Sequence, residues 1–149
     1  MLIIREALPK DLPQISDLCI AHAQYEGVKL VSYPEYEANL ATLLFGTDPK
    51  VWCLVLAEND QLFGYASCTI QYATWTAKPY LYMDCIYLKE EVRGHGWGQK
   101  MMSQILTKAG EGGCEEIQWQ TPENNKLAID FYHKIGEKAL KKFRFFWNR

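Results

Sequence analysis

Glycines alternate with larger residues in one short run of this chain, and such a run can bind an anion. It reads V-R-G-H-G-W-G-Q from Val92 to Gln99 and lies between an apolar, strand-like stretch and a stretch with helical periodicity. Because glycine lacks a Cβ, backbone N–H groups can converge on a ligand where the helix begins, and its dipole favours negative charge there. The run therefore predicts a pyrophosphate site made of Arg93, Gly94, His95, Gly96, Trp97, Gly98 and Gln99.

Two other phosphate-binding loops do not fit this run. A dinucleotide-binding loop needs a third glycine where Gln99 stands, and a Walker loop ends in Gly-Lys followed by Ser or Thr. The pattern that fits is R-x-x-G-x-G, with Arg93, Gly96 and Gly98 as its fixed points. Taken alone, this pattern is also compatible with an ordinary glycine-rich turn between a strand and a helix.

A second motif follows later in the chain. Asn125, Ala128, Tyr132 and Gly136 have the spacing N-x-x-A-x-x-x-Y-x-x-x-G on a predicted short helix. In this order the two motifs resemble the GNAT superfamily of acetyl-CoA-dependent N-acetyltransferases. The resemblance implies a single domain over residues 1–149 with a three-layer α/β fold, in which helices flank a central mixed, mostly antiparallel sheet.

Further residues narrow the resemblance to the diamine acetyltransferases, the branch that includes the spermidine/spermine and thialysine enzymes. That branch typically has Glu-Asp where this chain has Asp84-Cys85, and an acidic residue where it has Ala73. Two carboxylates that would hold a polyamine are missing, which disfavours a polyamine substrate but leaves acetyl transfer intact. The matching segments span nearly the whole chain: Ile4-Arg5 with Ala7 and Asp11, Tyr25-Glu26, Phe45-Gly46 with Pro49, Cys53-Leu54-Val55 with Ala57-Glu58, Tyr72 with Trp75 and Lys78, Leu81-Tyr82, and Phe131-Tyr132.

The resemblance also implies how acetyl-CoA would bind. The backbone N–H groups of Ile86 and Leu88, at the end of the central strand, would bind the pantetheine and could stabilise the oxyanion that forms at the thioester. The loop 94–99 would bind the pyrophosphate, with Arg93 adding charge. Asn125 would contact the pantetheine arm.

The remaining candidate residues concern the proton and the amine. Tyr132 would be the general acid for the departing thiolate, and its alternative is a core tyrosine on an amphipathic helix. Asp84 follows apolar neighbours, so it is either a base or amine anchor, or one half of a structural ion pair. Glu26, beside Tyr25, is its natural partner in binding a cation, unless it is a solvated helix end. From the resemblance alone, Trp75 would add an aromatic wall.

Composition limits the remaining function classes. The chain has 149 residues, 48% of them hydrophobic, and a formal net charge of −2, which suits one domain and a cationic amine rather than nucleic acid. No uninterrupted apolar run approaches the length of a membrane helix. The five cysteines lack C-x-x-C spacing and are odd in number, which favours reduced thiols and a cytoplasmic protein. The histidines lack metal-ligand spacing, so we predict no metal site.

The predicted element order is strand, two helices, three strands, helix, strand, helix, strand. Asp11 is expected to cap the first helix, and Gly64 predicts a bulge in a central strand. The segment Phe143–Trp147 alternates poorly, which is typical of a strand buried on both faces or against a partner chain. We expect a homodimer.

Two classes of function remain. The first is an N-acetyltransferase that acts on a small primary amine, such as a diamine, a polyamine or a lysine-like amino acid. The second is a non-catalytic acetyl-CoA-binding regulatory module on the same fold. Acetylation of a protein or peptide amine is a further alternative. The presence of Tyr132 and Asp84 favours the enzyme.

Overall fold

The computed structural model describes residues 1–30, 33–136 and 138–149. The order of elements is the predicted one except at the chain end. Within the described residues, no helix combines the length and apolar character that crossing a membrane requires. The strands are β1 Ile3–Glu6, β2 Trp52–Glu58, β3 Gln61–Ala73, β4 Lys78–Leu88 and β5 Ile117–Trp119, and the helices are α1 Leu12–Tyr25, α2 Tyr36–Phe45, α3 Trp97–Glu111 and α4 Lys126–Ile135.

The strands form one open sheet in the order β1-β2-β3-β4-β5. Neighbouring strands are antiparallel except β4 and β5, which are parallel because the chain crosses back through α3 between them. This confirms the predicted mixed, mostly antiparallel sheet.

Helices cover both faces of this sheet. In β2, Leu56 belongs to the core that includes Ile105 of α3, whereas its neighbour Val55 belongs to the core that includes Ile15 of α1 and Leu44 of α2. Since successive strand residues point to opposite faces, β2 is apolar at nearly every position. The result is the predicted three-layer α/β arrangement.

A bulge interrupts the middle of β4. Ser67 pairs with Cys85 and the next residue of β3, Cys68, pairs with Met83, so Asp84 is the extra residue. A bulge bends its strand and redirects the side chains around it. Beyond this bulge β4 is no longer paired with β5, since the parallel pairing ends at Met83 and Trp119.

The bulge predicted at Gly64 lies next to that residue. Leu56 pairs with Gly64 and Ala57 with Leu62, so the register shifts there. A Cβ on Gly64 would lie 2.5 Å from Leu88 Cδ2 and 2.7 Å from the carbonyl oxygen of Tyr87. The glycine thus allows the end of β4 to lie tightly against β3.

The predicted capping role of Asp11 is wrong. Its carboxylate accepts two hydrogen bonds from the Arg5 guanidinium, at 2.6 and 3.0 Å, and one from the Leu8 N–H at 2.8 Å. Asp11 precedes α1, but its side chain makes no cap to that helix. A paired guanidinium satisfies a buried carboxylate better than a single amide does.

The predicted strand at Phe143–Trp147 is also wrong for this chain. Residues 138–149 form neither helix nor strand, and all of them are exposed. A strand needs a neighbouring edge to take up its hydrogen bonds and a surface to cover its apolar side chains. The tail has no such cover within its own chain.

Candidate active site

The bulge in β4 turns two backbone amides toward an uncovered edge. The Leu81 N–H donates to Glu116 O at 3.0 Å, toward β5, whereas the Lys89 N–H donates to Phe63 O at 2.8 Å, toward β3. Successive residues of a strand point their N–H groups to alternate edges. Since the Lys89 N–H faces β3, the N–H groups of Leu88 and Ile86 face the opposite edge of β4, where β5 is no longer paired with it.

The glycine run lies between this edge and α3. Gly94 and Gly96 have positive φ angles of 78° and 81°, which side chains rarely adopt, and a Cβ at either would meet nothing within 4 Å. Gly96 precedes α3, and no side chain among the described residues caps that helix. The first-turn N–H groups of α3 can therefore donate to an anion.

The third glycine of the run serves packing. A Cβ on Gly98 would lie 3.2 Å from Phe131 Cζ, so its absence lets α3 approach α4. His95 and Gln99 are exposed, while Trp97 is half-buried with the Lys100 ammonium 4.2 Å from its ring. The loop thus combines an open backbone with one close contact between helices.

Arg93 lies against α1 as well as beside the loop. Its Nε donates to Leu88 O at 2.7 Å, and its guanidinium carbon lies 4.7 Å from the Tyr25 ring and 5.4 Å from the Tyr87 ring. The expected contribution of charge to the loop stays a prediction. What the geometry adds is a link between the end of β4 and the end of α1.

Helix α4 brings two predicted residues to the same region. Asn125 caps the helix, since its Oδ1 accepts the Ala128 N–H at 3.2 Å, and its amide nitrogen keeps donors for a ligand. Tyr132 packs edge-on against Trp119, with ring centroids 5.4 Å apart. Burial, followed by the nearby Glu26, raises the pKa of Tyr132 to about 12. The phenol is therefore protonated at neutral pH, as a proton donor must be.

The two predicted acidic residues, Asp84 and Glu26, have different surroundings. Asp84 is exposed, and the Cys85 thiol donates to its Oδ2 at 3.6 Å. The Glu26 side chain is 29% exposed, and Tyr25 beside it is half exposed. Glu26, Tyr25 and Cys85 all act on the pKa of Tyr132, which places them near its phenol.

Sequence reasoning assigned no function to His22. Its Nδ1 lies 3.0 Å from the Tyr65 hydroxyl and its Nε2 lies 3.2 Å from Glu26 Oε1. Its ring stacks on Tyr87, with centroids 5.4 Å apart. The signal that could have found it is the four-residue spacing from Glu26, which puts both on one face of α1.

Trp75 lies away from the other candidates. It is 99% exposed at the turn between β3 and β4, beside the paired residues Ala73 and Lys78. Asp84 lies six residues beyond Lys78 along β4, which at the usual rise is about 20 Å. Within one chain, Trp75 cannot line a pocket around Asp84.

The Cys85 thiol is a poor nucleophile. All five cysteines are free. Burial, followed by the nearby Asp84, raises the pKa of Cys85 to about 12, so little thiolate forms. Among residues 1–30, 33–136 and 138–149, no three His, Cys, Asp or Glu side chains gather as a metal site.

Comparisons with known proteins agree with this arrangement. Residues 18–136 match the family model described as "Acetyltransferase (GNAT) family". The chain is 31% identical over 147 residues to the thialysine N-epsilon-acetyltransferase of Sus scrofa, covering 93% of this chain and 85% of that protein. It is 24% identical over 143 residues to a D-amino-acid N-acetyltransferase of Saccharomyces cerevisiae, covering 94% and 87%. A solved aminoglycoside acetyltransferase from an uncultured soil metagenomic sample, 22% identical, shares the fold with a TM-score of 0.80 over 99% of this chain and 95% of that one.

Proposed function

The chain belongs to the acetyltransferase (GNAT) family and is an N-acetyltransferase of its diamine and thialysine branch, and we propose that it transfers the acetyl group of acetyl-CoA to a primary amine of a small molecule by direct attack. Residues 1–149 would act as one catalytic domain. The observation that carries the proposal is the meeting of a strand edge beyond the end of β5, a helix N-terminus without a side-chain cap among the described residues, and a protonated tyrosine near the Glu26 carboxylate.

Acetyl-CoA would bind along the uncovered edge of β4. The loop 94–99 and the first turn of α3 would donate N–H groups to the pyrophosphate, with Arg93 nearby. The pantetheine would lie between the diverging strands, with Asn125 and the amides of Ile86 and Leu88 as donors. The N–H of Ile86 would face the thioester oxygen, where negative charge develops in the transition state.

The side chains of Tyr132 and Asp84 would then carry out the proton transfers. The neutral amine nitrogen forms a bond to the thioester carbon and then loses its extra proton to solvent, while the C–S bond breaks and the Tyr132 O–H gives its proton to the leaving sulfur. The ammonium proton must leave before attack, and Asp84 is the exposed carboxylate that can take it or hold the cation. The tyrosine regains its proton from solvent.

We propose a small amine with one or two ammonium groups as the substrate. Glu26 supplies negative charge near Tyr132 and Asp84 is an exposed carboxylate on β4, whereas Ala73 and Cys85 stand where the branch typically has carboxylates. A diamine or a lysine-like amino acid needs fewer charged partners than a polyamine does. The Sus scrofa relative is a thialysine N-epsilon-acetyltransferase, which supports this substrate class.

We further propose a cytoplasmic homodimer. Five free thiols suit a reducing compartment. Strand β5 has only three residues at the edge of the sheet, and a second copy could cover the exposed apolar side chains of the tail. Those side chains belong to Leu140, Phe143, Phe145, Phe146 and Trp147.

An amine panel tests the proposed function. Purified protein would be mixed with acetyl-CoA and with a short diamine, thialysine, lysine, spermidine or a lysine-containing peptide. Release of free thiol and mass spectrometry of the product would be followed together. We expect acetylation of the diamine or the lysine-like amino acid. Acetylation of the peptide alone would overturn the small-amine assignment, and thiol release without any acetylated amine would overturn amine acetylation.

A further inference from the structure

The ring of Tyr87 lies where the end of α1 meets β4. The His22 ring stacks on it, with centroids 5.4 Å apart and an interplanar angle of 22°, and the Tyr25 ring lies 6.2 Å away at 57°. His22 and Tyr25 both belong to the last turn of α1. One side chain of β4 therefore contacts that turn through two rings.

Arg93 joins the same contact from the loop that follows β4. Its guanidinium carbon lies 4.7 Å from the Tyr25 ring and 5.4 Å from the Tyr87 ring, within the distance of about 6 Å over which a cation and an aromatic face attract each other. Its Nε also donates to Leu88 O at 2.7 Å, which fixes the guanidinium to the end of β4. A lysine could not take this place, because its ammonium has neither a planar face nor an Nε–H.

The last turn of α1 determines where the Glu26 carboxylate lies. Glu26 follows the helix directly, and its Oε1 lies 3.2 Å from Nε2 of His22. Residues 27–30 beyond it are exposed. The contacts of α1 with Tyr87 and Arg93 therefore hold this carboxylate relative to β4, on which the thioester is proposed to lie.

We propose that Arg93, together with Tyr87, is a positioning residue: it holds the last turn of α1 against β4 so that Glu26 faces the substrate ammonium. This inference rests on the proposed function, because it assigns Glu26 to the amine. A positioning residue acts on the amine, whereas the charge that Arg93 is expected to add to the loop would act on the pyrophosphate. A contact to the ammonium that is equally strong before and during the reaction alters KM and leaves kcat unchanged.

Arg93→Lys tests this assignment, because it keeps the positive charge and removes the planar group. The KM of thialysine, the kcat at saturating thialysine and the dissociation constant of acetyl-CoA would be measured separately. We expect KM to rise roughly two- to tenfold, the range of a partly exposed cation–π contact, with kcat and acetyl-CoA affinity unchanged. Arg144→Lys makes the same change in the exposed tail and is the matched control. Weaker acetyl-CoA binding with an unchanged KM would overturn the inference and assign Arg93 to the pyrophosphate.

Substitutions of Tyr87 test whether its ring carries the effect. Tyr87→Leu should raise the KM of thialysine as Arg93→Lys does, whereas Tyr87→Phe keeps the ring and should restore the wild-type KM. Because both residues act through one contact, the double variant should raise KM no further than the larger single effect. Additive increases, or an equal rise in Tyr87→Phe and Tyr87→Leu, would overturn the inference.

Two measurements separate this inference from acetyl transfer itself. Amide hydrogen exchange of residues 22–26 should be faster in Arg93→Lys and Tyr87→Leu than in wild type, with no amine present. Calorimetry with thialysine in the presence of CoA should show weaker binding in both variants. If thialysine binds without being acetylated and both changes are seen, the proposed function fails and the role of Arg93 stands. If thialysine is acetylated with the same KM in every variant, the inference fails and the proposed function stands, even where hydrogen exchange changes.

Discussion

The two halves of the candidate site are built from different parts of the polypeptide. The donor half, which is the β4 edge at Ile86 and Leu88 with the loop 94–99, presents backbone N–H groups. The amine half, which is Glu26, Asp84 and Tyr132, presents carboxylates and a phenol. A backbone donor is available from almost any residue, whereas a charge or a proton belongs to one side chain.

This difference predicts how each half responds to substitution. In the donor half, a change acts through backbone conformation, so it should alter acetyl-CoA affinity. In the amine half, a change removes a proton donor or a charge, so it should alter kcat or the KM of the amine. Separate measurements of acetyl-CoA affinity, kcat and the KM of the amine test this difference between the two halves.

The largest effect is expected from Tyr132→Phe. It removes only the hydroxyl, so kcat should fall roughly ten- to a thousandfold, with acetyl-CoA affinity unchanged by calorimetry. Because burial raises the pKa of Tyr132 to about 12, ionisation of this phenol should not lower wild-type kcat below about pH 10. Tyr80→Phe removes a phenol that bonds Gln71 before the bulge and serves as the control. Full kcat in Tyr132→Phe would assign the proton to another group.

The next effect is expected in the donor half, from Gly96→Val. At a φ of 81°, a branched side chain forces the turn to change and misaligns the N–H groups before α3. Loss of two charge-assisted hydrogen bonds should weaken acetyl-CoA binding about a hundredfold. Gly110→Ala, a glycine in α3 with open space around it, is the matched control and should leave binding intact. Unchanged affinity in a folded Gly96→Val protein would remove the loop from the donor half.

The strand-to-helix turn within the donor half was predicted from nearby residues, while its binding of acetyl-CoA stays a prediction. The alternating glycines showed where a strand meets a helix, and the structure confirms that turn before α3. Sequence patterns likewise predicted the other strands and helices up to α4, and the periodicity is clearest in β2 and α3, which bury several apolar residues each. These features depend on residues close together in the chain.

The rest depended on contacts between distant residues. His22 and Tyr65 are 43 residues apart, so no spacing rule could join them. Asp11 pairs with Arg5 because β1 and the start of α1 meet, which overrides its preference for capping. The strand predicted at Phe143–Trp147 does not form within this chain, because an apolar sequence pattern does not specify which surface will cover it.

Within the amine half, Asp84→Asn should raise the KM of the amine substrate roughly tenfold, because a charge-assisted contact to its ammonium is lost. The bulge keeps this side chain exposed and its isosteric amide should fold normally. Steady-state kinetics with the best diamine would measure the change. Asp17→Asn, which neutralises an exposed carboxylate on α1, is the control and should leave KM unchanged. Equal KM values for wild type and Asp84→Asn would leave Asp84 as a structural residue.

The smallest effect is expected from Ala73→Asp, which restores an acid typical of the branch. Ala73 pairs with Lys78, about 20 Å along β4 from Asp84, so the new charge cannot reach the amine half of its own chain. In a homodimer, the β3–β4 turn of the second copy could bring it there. We then expect a two- to fivefold gain, typical of one partly exposed charge, in kcat/KM for spermidine relative to a short diamine.

Dilution tests whether the gain in kcat/KM of Ala73→Asp requires the dimer. Sedimentation would define the concentration at which the protein becomes a monomer, and the kinetics of Ala73→Asp would be measured on both sides of it. A gain that disappears in the monomer places the turn of one chain at the site of the other. A gain that persists in the monomer would contradict the 20 Å separation derived from the strand. No gain at either concentration would mean that side chains of one chain form the amine half, without the β3–β4 turn of the second copy.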